Sequence, residues 1–233
     1  MYKIADLYVD MEPKYPRTQR QSEAYLTDES TKSNIEIRLT DEYLEACQRE
    51  NPHLDLEACE YIWLGSHFYE VLPEFDAFLL HSSAVVYENE GYLFSAPCGT
   101  GKSTHTQIWL KRFEGAYILN DDKPAIRIKD DKFYVYGTPF SGKTDLNVNA
   151  GVPLKGICVL QRGETNHIEE IPPEEALFCI LNQTVRPSEE KRMDKLLTLL
   201  DKLIEKVPVY RLTCNMELEA AEVSYSKMSG KKI

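Results

Sequence analysis

The sequence predicts an α/β fold, a mixed sheet carrying helices, with a small α+β unit ahead of it. Three observations lead there. Strand-like and helix-like patterns alternate through residues 75–233. Turn signals at Glu88-Asn89-Glu90-Gly91 and Lys129-Asp130-Asp131 join short β-like runs directly, which makes hairpins and argues against a purely parallel sheet. Third, a glycine-rich turn, Ser95-Ala96-Pro97-Cys98-Gly99-Thr100-Gly101-Lys102-Ser103-Thr104, links one such run to a helical pattern. The 233 residues, 42% of them apolar, suffice for one large domain or a domain with an appendage. The expected division is residues 1–74 and residues 75–233.

In order along the chain, residues 3–9 read as one strand, and residues 34–39 alternate apolar and polar as a half-buried strand does. The polar stretch between them, 12–33, reads as loops and a hairpin. A short helix follows over 41–49 with Thr40 as N-cap. Residues 54–72 carry Leu56, Cys59, Tyr61, Ile62, Trp63 and Phe68 on a strongly apolar helix that Pro73 ends. Residues 77–86 form an apolar strand containing His81-Ser82-Ser83, and residues 92–95 return as its partner. The helix over 104–113 leads to a strand at 116–119 that ends in Asn120-Asp121-Asp122. Residues 124–128 and 132–136 form a hairpin, and 137–151 is a long polar segment. A buried strand at 154–160 is expected to pair with 168–171. Helices at 173–182 and 189–206, a strand at 207–212 and a helix at 216–228 complete the chain.

The glycine-rich turn carries the chemistry. Strand, glycine turn, Lys-Ser and helix is the layout of a phosphate-binding loop. Gly99 and Gly101 let successive N–H groups converge on one hollow, and the helix N-terminus adds partial positive charge there. Pro97, Cys98, Gly99, Thr100, Gly101, Lys102, Ser103 and Thr104 are the candidate nucleotide-binding residues, with Lys102 reaching the terminal phosphates and Ser103 available to Mg²⁺. The strict pattern places glycine where this chain has Ala96. Asp121 and Asp122 follow Lys102 at the distance of a second acidic element. One of them can hold Mg²⁺ and the other can accept a hydroxyl proton, because neighbours on an extended strand point to opposite sides. His81, on the strand beside the loop, is placed to meet the phosphates or an acidic partner. Thr138-Pro139-Phe140-Ser141-Gly142-Lys143 is a second glycine-lysine element, with Lys143 a candidate phosphate contact, or else a surface loop. Arg162 and Arg186 are candidates for clamping a transferring phosphoryl group.

Composition limits the partners. A net charge of -11 argues against general nucleic-acid binding, and no apolar run is long enough to span a bilayer. Asp6 and Asp10 interrupt any signal-peptide core. The six cysteines include no C-x-x-C pair, and they read as reduced thiols of a cytoplasmic protein.

Leu80-His81-Ser82-Ser83-Ala84, the hairpin, the loop from Ala96 to Thr104 and the strand ending in Asn120-Asp121-Asp122 together resemble HPr kinase/phosphorylase. They also resemble the wider group sharing the phosphoenolpyruvate-carboxykinase-type nucleotide fold, over residues 75–215. The segment from Thr138 to Lys143 is similar to an element of its shorter relatives. The resemblance implies ATP and Mg²⁺, with Lys102 and Ser103 on phosphate and metal, Asp121 near the metal, Asp122 as proton acceptor and His81 as its neighbour. Arg186 stands in for the family's catalytic arginine. Two features depart from the family: residues 132–136 carry no acidic side chain, and residues 1–74 replace its large N-terminal domain. The expected activity is an ATP- and Mg²⁺-dependent kinase acting on a hydroxyl of a protein, peptide or metabolite. The alternatives are a non-catalytic ATP sensor and a simple ATP hydrolase. The family's homo-oligomeric assembly is a further expectation.

Overall fold

A computed structural model describes residues 1–97 and 99–233. Cys98, a candidate nucleotide-binding residue, lies outside the described residues.

The chain opens on a hairpin, not on one strand. β1 (Tyr2–Ile4) and β2 (Leu7–Met11) pair antiparallel around Ala5 and Asp6, whose φ values are +52° and +59°. Two successive left-handed residues are what a two-residue hairpin turn of type I′ requires. Alanine is a poor signal for it, and the Arg127 Nη1 donates to the Ala5 carbonyl at 2.8 Å. The stretch expected to be loops and a hairpin contains a helix, α1 (Pro16–Ser22), and a 3₁₀ turn over Glu23–Tyr25. Its inward residues are the polar Thr18, Gln21 and Ser22, so it carries no apolar stripe to read. Nor does it cap itself. Glu60 accepts from the Lys14 and Tyr15 amides at 2.6 and 3.0 Å, and Glu57 accepts from the Arg17 amide at 2.9 Å. The acid that satisfies a free N–H of this helix, and the one that holds the two amides just before it, thus come from another element forty residues on.

β3 (Ile35–Ile37) adds parallel to β2 and completes a three-stranded sheet. In α2 (Asp41–Glu50) the Thr40 hydroxyl accepts from the Tyr43 amide at 3.2 Å, the expected cap. α3 (Leu56–Val71) is capped by Asp55 and buries Tyr61, Leu64, Phe68 and Tyr69. It ends in a 3₁₀ turn over Leu72–Phe75.

The apolar run at 77–86 divides into β4 (Ala77–Leu79) and β5 (Ser82–Tyr87), broken at Leu80-His81. There follow β6 (Glu90–Ser95), α4 (Lys102–Arg112), β7 (Tyr117–Asp122), β8 (Ala125–Lys129) and β9 (Lys132–Tyr136). The remaining elements are β10 (Gly151–Arg162), β11 (His167–Glu170), α5 (Pro173–Leu181), α6 (Glu190–Lys206), β12 (Val209–Cys214) and α7 (Leu218–Ser229). β11 pairs antiparallel with β12, not with the strand at 154–160, because β12 and β6 occupy the neighbouring places along β10.

These strands form one curled, mixed sheet. Along it run β12, β10, β6, β5 and β7, and the first three residues of β10 pair with β9, which continues to β8 and β4. Side chains alternate across it as a strand period of two demands. Tyr92 and Phe94 pack with Trp109, Ile108 and Tyr225 beneath α4 and α7. Ala84, Val86 and Leu93 face the opposite side, with Leu196, Leu199 and Leu203 of α6. A further core joins the N-terminal sheet and α3 to Leu79, Ala125, Tyr136 and Phe140.

Candidate functional site

β5 runs antiparallel to both of its neighbours, with Ser82 opposite Ser95 of β6 on one side and Asp122 of β7 on the other. The C-terminal ends of β6 and β7 therefore emerge together. One leads into the glycine-rich loop and the other carries the acidic pair. This register brings together residues 103 and 121, which are distant in sequence.

In the loop, Gly99 has φ +79° and Gly101 φ +124°, and among the described residues nothing beyond the adjoining backbone lies within 4 Å of where a Cβ would sit on either. Glycine is needed at both for backbone conformation rather than for lack of room. Gly101 caps α4, its carbonyl accepting from the His105 amide at 2.9 Å. Arg162, at the end of β10, donates from Nε to the Thr100 carbonyl at 3.1 Å and from Nη2 to the Gly99 carbonyl at 2.5 Å. The candidate phosphoryl clamp is thus engaged in holding loop carbonyls. Lys102 Nζ donates to the Ala96 carbonyl at 2.9 Å, and Thr104 and Pro97 are exposed. A cavity of about 410 Å³ lies between Thr100, Thr104 and Ile108 on one side and Leu160, Arg162 and Met216 on the other.

Ser103 donates to Asp121 Oδ1 at 3.1 Å. Its turn of α4 is tied to β5 through Ser83 and Thr106, whose hydroxyls lie 3.2 Å apart, and Thr106 donates on to the Ser103 carbonyl. Asp122 faces a different partner: His81 Nε2 lies 2.9 Å from its Oδ1, and Lys123 Nζ lies 3.6 Å from its Oδ2. Burial alone would push the Asp122 carboxyl up. The hydrogen bond from His81 and the charges on Lys123, His81 and Lys102 outweigh it, and the group is held below the usual carboxylate value. His81 is fixed from behind. Its Nδ1 lies 3.1 Å from Gln183 Oε1, its amide donates to the Gln183 carbonyl at 2.7 Å, and Ser95 donates to its carbonyl at 2.9 Å. Both ring nitrogens are thus engaged, Nε2 by the Asp122 carboxylate and Nδ1 by the Gln183 amide oxygen.

The segment from Thr138 to Lys143 sits over Asp122. Asn120 donates to the Thr138 carbonyl at 2.9 Å, and Thr138 donates to the Lys123 carbonyl at 2.8 Å. At Gly142, φ is +72°, and a Cβ would come within 2.8 Å of the Asp122 Cβ and 2.9 Å of its Oδ2. Only glycine fits there. The Gly142 amide is occupied, donating to the Tyr61 hydroxyl at 3.1 Å. Lys143 and Arg186 are both exposed, and neither side chain makes a hydrogen bond or ion pair with the carboxylates or the loop among the described residues.

Sequence reasoning passed over Lys123, Gln183, Tyr61 and Arg17. Lys123 follows the acidic pair directly and was there to be read. The other three have no local signature, because their proximity is made by the fold. No group of three His, Cys, Asp or Glu side chains that could hold a metal occurs among the described residues. No helix among them is long and apolar enough to cross a membrane.

No protein-family model matches the chain, and no curated protein matches it in sequence. Among solved structures, the Hpr(Ser) kinase/phosphatase from Coxiella burnetii is similar to it at a TM-score of 0.39 and 13% identity, over 65% of this chain and 97% of that one. A likeness of that size is too low to carry an activity from one chain to the other.

Proposed function

We propose that the protein is an ATP- and Mg²⁺-dependent phosphotransferase that moves a γ-phosphoryl group to a hydroxyl. The observation that carries this reading is the division of labour in the acidic pair. Asp121 meets the Ser103 hydroxyl at 3.1 Å, whereas Asp122 meets His81 at 2.9 Å. Two hard oxygens side by side at the foot of a helix suit Mg²⁺, which binds through one or two protein oxygens and otherwise keeps water and phosphate oxygens. The residues present fit the ion, and Ser103 and Asp121 are the pair that would hold it. Bound there, it would neutralise charge on the β- and γ-phosphate oxygens.

The residues of the chain supply the rest. The amides of the loop and of the first turn of α4 bind the triphosphate, with Lys102 beside them. Asp122 accepts the acceptor's hydroxyl proton as that oxygen forms a bond to the γ-phosphorus. The bond from the γ-phosphorus to the bridging oxygen breaks, and ADP leaves with that electron pair. His81 orients the receiving carboxylate and Gln183 orients His81.

Incubation with γ-labelled ATP, Mg²⁺ and a panel of seryl peptides and hydroxylated metabolites tests the proposal. Label on an acceptor, lost in Asp122→Asn, is the expected result. Tight ATP binding with no labelled product makes the protein a nucleotide sensor, and phosphate release without an acceptor makes it a hydrolase.

A further inference from the structure

We infer that Arg17 is a positioning residue for Asp122, and that the N-terminal unit serves as the seat of the loop lying over that carboxylate. This rests on the phosphotransferase reading for its consequence in turnover, but not for its geometry.

Arg17 Nη2 donates to the Gly142 carbonyl at 2.7 Å, and its guanidinium lies over the Tyr61 ring, Cζ 3.9 Å from the centroid. The Tyr61 hydroxyl accepts the Gly142 amide. Both polar groups of the Gly142 backbone are therefore held by residues of the first seventy-four. The same unit grips the loop again on either side. Ser141 donates to Gln21 Oε1 at 3.1 Å, Tyr25 donates to Asn147 Oδ1 at 2.9 Å, and Gln21 also donates to Asp145. Arg17 and Arg20 each lie 3.7 Å from the Asp145 carboxylate.

What the loop does once seated follows from Gly142. The Gly142 backbone lies so near Asp122 that a Cβ on it would come within 2.9 Å of Oδ2, and Lys123 Nζ stands 3.6 Å from the same oxygen. The carboxylate is left the rotamer that presents Oδ1 to His81. Planarity matters here. A guanidinium can stack on an aromatic face while donating in its own plane, and an ammonium cannot. The substitution Arg17→Lys keeps the charge and loses the seat.

The test uses the full chain with Arg17→Ala, Arg17→Lys and Tyr61→Phe, the last removing only the hydroxyl that accepts from Gly142. Three readouts are taken. Hydrogen exchange of the segment 138–147 is expected to quicken about tenfold or more in both Arg17 variants, while that of α6 stays unchanged. The hydrogen-bonded ring N–H resonance of His81, identified by its loss in His81→Asn, is expected in the parent and broadened away in Arg17→Ala. Phosphoryl transfer is expected to fall roughly ten- to a hundredfold in kcat, with the Kd for ATP within about twofold of the parent, as for misplacement of a group that acts only in the transition state. Should Arg17→Ala fail to fold, Tyr61→Phe carries the same readouts. Unchanged exchange and an unchanged His81 resonance overturn the inference, as does full rescue by Arg17→Lys. If the parent transfers no phosphate at all, the phosphotransferase reading fails, and the first two readouts still decide whether Arg17 seats the loop.

Discussion

Asp122→Asn separates chemistry from binding. The amide is the same size as the carboxylate, so packing under Gly142 and the 2.9 Å approach of His81 are kept. What is lost is the ability to take a proton and the negative charge 3.6 Å from Lys123. A positioned general base contributes roughly 10²–10⁴ in rate, which is about 3–5.5 kcal/mol of barrier at about 1.4 kcal/mol per decade. Nucleotide affinity should move the other way or not at all, because a negative charge near the triphosphate has been removed. The assay pairs single-turnover transfer from labelled ATP with equilibrium ATP binding on the same preparation. A rate at least a hundredfold lower, with affinity equal or tighter, is expected. Transfer at the parent rate, or affinity lost along with the rate, would refute the assignment of Asp122 as base.

Asp121→Asn should behave in the opposite sense, since Asp121 pairs with Ser103 rather than with His81. Magnesium-dependent ATP binding weakens about tenfold or more, since altering even an outer-shell partner of a metal costs about 10–100-fold, and a Mg²⁺ titration reads it. His105 is buried against Phe94, and burial pushes its ring down to about 4. It is neutral in the fold, while the unfolded chain takes up a proton below about 6.5. Stability is complete above that pH and is lost as pH falls towards 4. Urea melts at pH 7 and pH 5 should show the parent losing about 2 kcal/mol more than His105→Asn. Trp109 is fully buried and donates from Nε1 to Ser224 at 2.9 Å. Trp109→Ala should lower unfolding stability by about 3–5 kcal/mol in denaturant melts.

Much of the frame was legible because its causes are local. The Thr40 cap, the Glu88-Asn89 and Asp130-Asp131 turns, all four of those turn residues at positive φ, and the strand–loop–helix around Gly99 and Gly101 each rest on a few neighbouring residues. The adjacent carboxylates of Asp121 and Asp122 take different partners, as alternation along a strand requires. What escaped has distant causes. α1 takes its acidic partners from Glu57 and Glu60, so the one local sign of a helix start is Pro16 at its first position. β11 reads equally well beside either parallel neighbour until β12 takes the place along β10. The break at Leu80-His81 is invisible to apolar patterning, because both halves of that run are buried and only their sheet partners differ. Gln183 meets His81 across 102 positions. The seat that Arg17 and Tyr61 make for Gly142 is likewise assembled by tertiary packing alone.

Calorimetric titration with ATP and Mg²⁺, on the parent and on Lys102→Ala side by side, tests the central claim most directly. The account predicts saturable heat for one site in the parent, dependent on Mg²⁺, and affinity lower by about tenfold or more once the loop lysine is gone. No heat in the parent, or identical binding in the two proteins, would contradict a triphosphate held in the hollow at Gly99 and Gly101.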